Sequence, residues 1–236
     1  MKKKILLVSG CSWTTTEYKS NFHKDKVFNF TRWPEILSDK LNMKCLNLGK
    51  SGAGNEYIFN SLIEKIEIIK PENIGLVIPA WSNAAREDWQ ERLRFPHLDI
   101  WKNERWSQRG DMHYFVRKSL RYFYLFQIYC EKYNIPYKQI QMIKLYQSGI
   151  YHDSMLNTKL LNSKVKKDDA FKTFTNSILY KKIKPESFIG WPAWDYTNQF
   201  YMESAIDKLK LTISDIDRHP NEKGHQLIAK TIYENL

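Results

Sequence analysis

The stretch Ile5-Leu6-Leu7-Val8-Ser9-Gly10-Cys11-Ser12-Trp13 decides how the rest of this chain can fold. Four consecutive apolar residues that end close to a glycine are typical of a strand buried on both faces of a parallel sheet. The hydroxyl of Ser12 would then lie at the carboxyl end of that strand, where open α/β sheets bind their ligands. Ser12 is therefore a candidate nucleophile, although a Gly-x-Ser sequence by itself often marks nothing more than a turn.

Apolar strands and amphipathic helices alternate through the first half of the chain and return at its end. The strands are predicted at 5–8, 45–48, 74–80 and 137–143, with a further short one at 187–190. Four helices are predicted. The first begins at 31–35, the second has an apolar stripe over 58–69, and the last two cover 117–133 and 220–236. This order predicts one α/β domain over residues 1–236, a doubly wound parallel sheet of about five strands in a three-layer α/β/α arrangement. Two irregular, tryptophan-bearing insertions interrupt it, at roughly 86–115 and 146–200.

The net charge of +11 raises the question of nucleic-acid binding. The lysines are scattered, however, and the denser runs at 164–167 and 181–184 have no glycine-rich or aromatic RNA-binding motif beside them. Nucleic acid is therefore not an expected partner. No apolar run approaches the roughly 20 residues of a membrane span. The four apolar residues after the N-terminal lysines are too few for a signal peptide, so we expect a cytoplasmic protein.

The three cysteines, Cys11, Cys45 and Cys130, are odd in number, far apart and without the spacing of a metal site. We expect free thiols in or near the core. No cluster of histidine, cysteine and carboxylate residues has metal-ligand spacing either, so neither a metal nor another cofactor is expected.

The stretch from Asp217 to His225 carries the second set of candidate catalytic residues. Pro220 favours a helix start there and would leave the imidazole of His219 just before the first turn. Asp217, two residues earlier, could accept a hydrogen bond from the far nitrogen of that ring. A serine nucleophile needs a base, and the base needs an orienting acceptor, so Ser12, His219 and Asp217 form a candidate triad. Asp215 is a second candidate for the acid; without either, a Ser–His dyad would remain.

Four stretches resemble, in the same order, the SGNH hydrolases, the group that includes the GDSL esterases and lipases. They are Gly10–Trp13, Asn47–Gly52, Trp81–Asn83 and Asp217–Pro220. The resemblance implies a flavodoxin-like sheet, a nucleophilic Ser12 and a requirement for no cofactor. It also implies an oxyanion hole made by the backbone N–H groups of Ser12 and Gly52 and by the side-chain amide of Asn83, donors that would stabilise the charge of a tetrahedral intermediate.

The sequence departs from the family pattern at three places. Cys11 replaces the usual aspartate before the nucleophile. Trp81 stands where the third block normally has glycine, so the alignment of Asn83 is uncertain by a residue, and Ser82 or Asn55 could serve instead. The acid lies two residues before the histidine and not three, which leaves the choice between Asp217 and Asp215 open.

The function that this resemblance implies is a serine esterase that removes a small acyl group, such as acetyl, from a carbohydrate or a similar alcohol. An acyltransferase, a thioesterase or a lipase would use the same triad, and a non-catalytic basic binding module would keep the fold without turnover. The tryptophans of the insertions fit either sugar contact or core packing.

Three residues next to the predicted site are candidates for substrate contact: Trp13, Trp81 and Arg86, the last for a carboxylate or phosphate. Arg86 and the two acidic residues after it are otherwise expected to be solvated. His225 has no role in the family pattern and is expected on the last helix, facing water or neighbouring side chains.

Overall fold

A five-stranded parallel sheet with helices on both sides forms the centre of the protein. The computed structural model describes residues 3–88, 97–99, 111–146, 167–192, 194 and 201–236. The strands are β1 (Ile5–Gly10), β2 (Lys44–Asn47), β3 (Ile74–Trp81), β4 (Arg86–Asp88), β5 (His97–Asp99), β6 (Gln139–Gln141) and β7 (Phe188–Ile189). The helices are α1 (Trp33–Lys40), α2 (Asn55–Ile69), α3 (Met112–Lys132), α4 (Lys167–Thr175), α5 (Met202–Lys208) and α6 (Glu222–Tyr233). Short 3₁₀ turns lie at Pro71–Asn73, Tyr180–Lys182 and Pro185–Ser187.

The order of strands in the main sheet is β2-β1-β3-β6-β7, and every pairing in it is parallel. Val8 of β1 lies opposite Asn47 on one side and Ile78 on the other. Leu6, Leu7 and Val8 of β1 are fully buried because both faces of the sheet are covered, which is the reason for a continuous apolar run instead of an alternating one. The predicted doubly wound α/β/α fold is confirmed. Strand order reverses between β1 and β3, and the turn that carries Ser12 follows β1 at this switch point.

The helices bury the faces that their apolar spacing predicts. In α2 the buried residues Ile58, Leu62 and Ile66 follow one another at intervals of one helical turn. The ends of two other helices differ from prediction. The predicted opening at 31–35 offers Thr31 as a helix cap, but α1 begins after Arg32 and no side chain caps it. Helix α6 begins two residues after Pro220, because Asn221 caps it by accepting a hydrogen bond from the N–H of Gly224.

The described part of the first predicted insertion is an antiparallel pair formed by β4 and β5. Two carboxylates of β4, expected in solvent, are buried. Asp88 accepts hydrogen bonds from the N–H groups of Gly54 (2.9 Å) and Tyr57 (2.8 Å) at the start of α2. The first N–H groups of a helix have no partner within the helix and favour an anion, so a carboxylate there is stabilised despite its burial. Glu87 pairs with Lys118 of α3, with 3.1 Å between Oε1 and Nζ.

The second predicted insertion includes α4 and β7, and its described tryptophans pack against other aromatic rings. Trp194 is buried, with its ring centroid 5.2 Å from that of Phe174, and Trp191 lies 5.5 Å from the same ring. In this part of the chain, core packing accounts for the tryptophans better than sugar contact does. The tryptophans of the first insertion, Trp89, Trp101 and Trp106, lie outside the described residues, so the two alternatives stay open for them. Of the helices in the described ranges, none is long and apolar enough to cross a lipid bilayer.

Candidate active site

The turns that follow β1, β2 and β3 lie side by side at one edge of the sheet. Gly10, the last residue of β1, is in register with Ala80 of β3, and its carbonyl oxygen accepts a hydrogen bond of 2.9 Å from the N–H of Lys50 after β2. Asn47 ties the turns together. Its amide nitrogen donates to the carbonyl oxygen of Thr14 (2.7 Å), and its side-chain oxygen accepts from the N–H of Gly49 (2.9 Å). The carboxyl edge of the sheet therefore carries three of the four predicted blocks together.

The last predicted block reaches the first one through a direct side-chain contact. Ser12 Oγ lies 2.8 Å from Nε2 of His219, although the two residues stand 207 positions apart. On the other side of the ring, Nδ1 lies 2.8 Å from Oδ1 of Asp217. Ser12 is 9% exposed, and the imidazole of His219 is about a quarter exposed, whereas Asp217 is fully buried. A hydroxyl, an imidazole and a carboxylate are thus aligned, and of the three only the carboxylate is fully shielded from solvent.

The carboxylate of Asp217 receives more donors than the histidine alone. The hydroxyl of Tyr18 lies 3.0 and 2.9 Å from its two oxygens, the hydroxyl of Ser20 donates to Oδ2, and the backbone N–H of His219 donates to Oδ1 at 3.2 Å. Burial by itself raises the pKa of Asp217, but the hydrogen bonds from His219, Ser20 and Tyr18 outweigh that effect and hold the pKa well below its usual range. Asp215, by contrast, is exposed. Of the two acid candidates, Asp217 is the one that contacts the ring.

Tyr18 and Ser20 are site residues that the sequence analysis missed. They lie in the polar stretch after Ser12, which has no hydrophobic periodicity and therefore predicts only a loop. In the structure this stretch is held against the last block of the chain: besides the contacts to Asp217, Nε2 of His23 lies 2.8 Å from the hydroxyl oxygen of Ser214. No local pattern indicates such contacts, because each joins residues about 190 or more positions apart.

The oxyanion-hole prediction requires backbone N–H groups of Ser12 and Gly52 that are not already bonded to another protein group. Among the residues that the structure describes, the N–H groups of Ser12 and Gly52 donate to no other protein group. Gly52 has φ 81°, a left-handed conformation that glycine adopts without the cost borne by other residues. Gly10 is needed for a different reason: a Cβ at that position would collide with the side chain of Thr14 in the turn after the nucleophile.

The side chain of Asn83 is held between two loops. Its amide nitrogen donates to the carbonyl oxygen of Lys144 (2.9 Å), and its oxygen accepts from the N–H of Ala85 (2.8 Å), which forms a turn before β4 and not the cap of a helix. One of its two amide protons remains for another acceptor. Asn55 has none left, because its amide nitrogen donates to the carbonyl of Ser82 and to the hydroxyl of Ser119. Ser82 is fully buried and accepts a hydrogen bond from Arg86, so Asn83 remains the better candidate.

The three predicted substrate contacts differ in position. Trp81 is fully buried: its N–H donates to Gln139 (2.9 Å), and its ring packs on Phe123 of α3, so its predicted contact with a substrate is wrong. Trp13 is buried with its ring centroid 6.4 Å from that of His219. Arg86 is half-buried, and one guanidinium nitrogen lies 3.0 Å from Ser82 Oγ and 3.4 Å from the carbonyl oxygen of Ala53, next to the Gly52 turn.

The three cysteines are free thiols, as predicted; Cys11 and Cys130 are buried, and Cys45 is half-buried. In the described ranges, no three histidine, cysteine or carboxylate side chains lie together as a metal site would require.

His225 is buried in α6, so of the two expected surroundings, water or neighbouring side chains, the structure has the second. The N–H of Trp33 donates to its Nδ1 (3.3 Å), and a guanidinium nitrogen of Arg32 lies 3.5 Å from its Nε2. Burial, the charge of Arg32 and that of His219 lower the pKa of His225 from 6.5 to about 3. The aromatic ring of Phe30 covers both the imidazole and the guanidinium. The folded protein therefore holds this histidine neutral.

The burial of His225 predicts how stability depends on pH. In the unfolded chain a histidine takes up a proton below about pH 6.5, whereas the folded protein does so only near pH 3, so the unfolded state binds more protons between those values. The free energy of unfolding should therefore decrease as the pH falls, by up to about 1.4 kcal/mol per pH unit. We expect His225→Gln to flatten this slope in urea unfolding between pH 6.5 and 5. An unchanged slope would assign the effect to other groups.

Several solved structures that resemble this fold are esterases and related hydrolases. One, described as a GDSL-family lipolytic protein of Desulfitobacterium hafniense DCB-2, is 13% identical, with 99% of each chain covered and a TM-score of 0.52. An acetyl-xylooligosaccharide esterase from Geobacillus stearothermophilus is 16% identical, with 99% of this chain and 94% of that chain covered and a TM-score of 0.51. A psychrotrophic esterase from Pseudoalteromonas sp. is 15% identical, with 98% and 96% covered and a TM-score of 0.52.

No protein-family model and no curated protein matches the sequence. At such low identity the likeness to these structures concerns the course of the backbone and not the chemistry of the site. It extends over nearly the whole of this chain and of each relative. Together with the order of the four sequence blocks, it shows that this chain has the fold of the SGNH hydrolases.

Proposed function

We propose that the protein is a serine esterase that removes a small acyl group, acetyl in the first instance, from a carbohydrate or a similar alcohol by way of an acyl-enzyme. The observation that carries the proposal is the pair of 2.8 Å contacts that join Ser12 to His219 and His219 to Asp217. Nucleophile, base and orienting acid within hydrogen-bond reach are what serine catalysis requires. A binding module would have no need of this alignment.

In the proposed reaction, Ser12 Oγ attacks the ester carbonyl carbon while its proton passes to Nε2 of His219. The carbonyl π electrons move to the oxygen, and the N–H groups of Ser12 and Gly52, with the amide of Asn83, stabilise the resulting charge. When the intermediate collapses, the C–O bond to the alcohol breaks, and the alcohol oxygen takes the proton from Nε2. Water, activated by the same ring, then hydrolyses the acyl-serine and restores the starting protonation of Ser12 and His219.

The contacts of Asp217 support its assignment as the acid. A buried carboxylate with a depressed pKa stays ionised and accepts a hydrogen bond from the N–H at Nδ1 of His219. Nε2 then carries no hydrogen and can accept one from the hydroxyl of Ser12. The fold shared with an acetyl-xylooligosaccharide esterase makes acetylated oligosaccharides the first substrates to test. The tryptophans described in the second insertion pack in the core and do not bear on this choice.

The experiment combines a serine-directed fluorophosphonate probe with a series of 4-nitrophenyl esters of increasing acyl length and a panel of acetylated sugars. We expect stoichiometric labelling of Ser12, fastest turnover with acetate, release of acetate from at least one acetylated sugar, and no effect of EDTA. A preference for long acyl chains would indicate a lipase, and a preference for thioesters a thioesterase. Absence of both labelling and turnover would contradict the esterase proposal and support a non-catalytic binding module.

A further inference from the structure

The hydroxyl of Tyr18 lies among the three polar atoms that join the proposed acid and base. Its oxygen is 3.0 and 2.9 Å from the two carboxylate oxygens of Asp217 and 2.8 Å from Nδ1 of His219. The tyrosine ring packs on the imidazole, with 4.2 Å between centroids. In the described part of the chain, no other side chain forms hydrogen bonds with both Asp217 and Nδ1 of His219. The acid–base pair is therefore a three-membered group in this protein.

The protons of this group have only one arrangement in which every donor faces an acceptor and His219 can serve as the base. Asp217 is ionised and can only accept. Tyr18 keeps its proton, because burial and the hydrogen bond to Asp217 raise its pKa. The tyrosine O–H therefore donates to Asp217, which turns a lone pair of the phenol oxygen towards His219. If Nε2 is to accept the proton of Ser12, Nδ1 must carry a hydrogen, and that hydrogen faces both Asp217 Oδ1 and the tyrosine oxygen.

We propose that Tyr18 is a positioning residue of the Asp217–His219 pair, whose hydroxyl donates to the carboxylate and provides a second acceptor for the Nδ1–H of His219 when the ring takes up the proton of Ser12. This inference rests on the proposed function. Two acceptors on one N–H stabilise the imidazolium more than one does and restrict rotation of the ring. Ser20 holds the same loop in place: its hydroxyl donates to Asp217 and accepts from the N–H groups of Phe22 and His23.

The test is Tyr18→Phe, which removes the hydroxyl and keeps the ring that packs on His219. With 4-nitrophenyl acetate we expect kcat to fall about tenfold and KM to change by less than about twofold. The hydroxyl of Tyr18 is expected to stabilise the imidazole of His219 mainly after that ring has taken up the proton, that is, in the transition state and not in the substrate complex. Tyr133→Phe, at an exposed tyrosine beyond the end of α3, is the matched control and should leave both constants unchanged. Thermal unfolding of each variant reports whether the fold is intact.

A double-mutant cycle separates positioning from general packing. In the background of Asp217→Asn, where the acceptor geometry at Nδ1 is already lost, Tyr18→Phe should cost no more than about threefold. An equal loss in both backgrounds would mean that Tyr18 acts on the loop and not through the acid–base pair, and would overturn the inference. Full activity of Tyr18→Phe, with the parent protein active and labelled at Ser12, would overturn it as well. A parent protein that is neither active nor labelled would remove the proposed function, and this inference with it.

Discussion

Ser12→Ala is expected to abolish ester hydrolysis and fluorophosphonate labelling while the thermal unfolding temperature stays within a few degrees of the parent protein. The hydroxyl makes one side-chain contact, to Nε2 of His219, and because that imidazole is about a quarter exposed, water can replace the lost hydroxyl as its partner. The chemistry, by contrast, has no substitute for the attacking oxygen, and the loss in kcat should be at least about 10³-fold. Steady-state kinetics with 4-nitrophenyl acetate and differential scanning calorimetry measure the two quantities.

Ser9→Ala is the matched control for this prediction. Ser9 lies three residues earlier, within β1, and is fully buried, with its Oγ 2.8 Å from that of Ser61. Its loss leaves the hydroxyl of Ser61 short of one partner and should cost about 1 kcal/mol of stability, with little change in kcat. Ser12→Ala should thus lose activity and keep its stability, whereas Ser9→Ala should lose stability and keep its activity. Retained activity in Ser12→Ala, or unfolding of that variant, would refute the assignment of Ser12 as the nucleophile.

The second large effect is expected at the histidine and its acid. His219→Ala should reduce kcat about as much as Ser12→Ala does, because a nucleophile and its base act as a unit. Asp217→Asn should cost less, about 10²- to 10⁴-fold, since the amide still occupies the site but favours the wrong tautomer of the ring. Asp215→Asn, at an exposed carboxylate two residues away, should stay within about twofold of the parent. If Asp215→Asn proves the more damaging acid variant, the geometry described for Asp217 does not represent the working enzyme.

The depressed pKa of Asp217 adds a pH dependence to this comparison. A carboxylate whose pKa is lowered on folding contributes stability above its unfolded value, near 3.9, and loses that contribution as the pH falls through the folded value. Asp217 is therefore fully ionised at pH 5. A decrease in the activity of the parent protein between pH 8 and 5 would therefore not arise from protonation of Asp217. Asp217→Asn should make the protein less sensitive to pH below 4 in urea unfolding.

The sequence by itself determined the sheet and the identity of the three side chains that meet at its edge. The apolar run before Ser12 and the apolar stripe at 58–69 are local patterns. A strand buried on both faces needs a continuous apolar run, and a helix buried on one face needs apolar residues at helical spacing. The order of the four blocks then places Ser12, Gly52, Asn83 and His219 after strands or before a helix, where the topology of a parallel sheet brings them to one edge.

Only the tertiary structure decided how these residues are supported. Trp81 packs in the core against α3, His225 is buried beside Arg32, and Asp88 caps α2. The position of each of these side chains depends on which element packs beside it and not on its neighbours in sequence. The same holds for Tyr18, whose contacts to Asp217 span 199 positions. Side-chain hydrogen bonds between distant segments leave no periodic trace in a sequence, since they depend on the angle and distance at which two loops meet. The triad that we propose could therefore be predicted from the sequence, whereas the side chains that contact it could not.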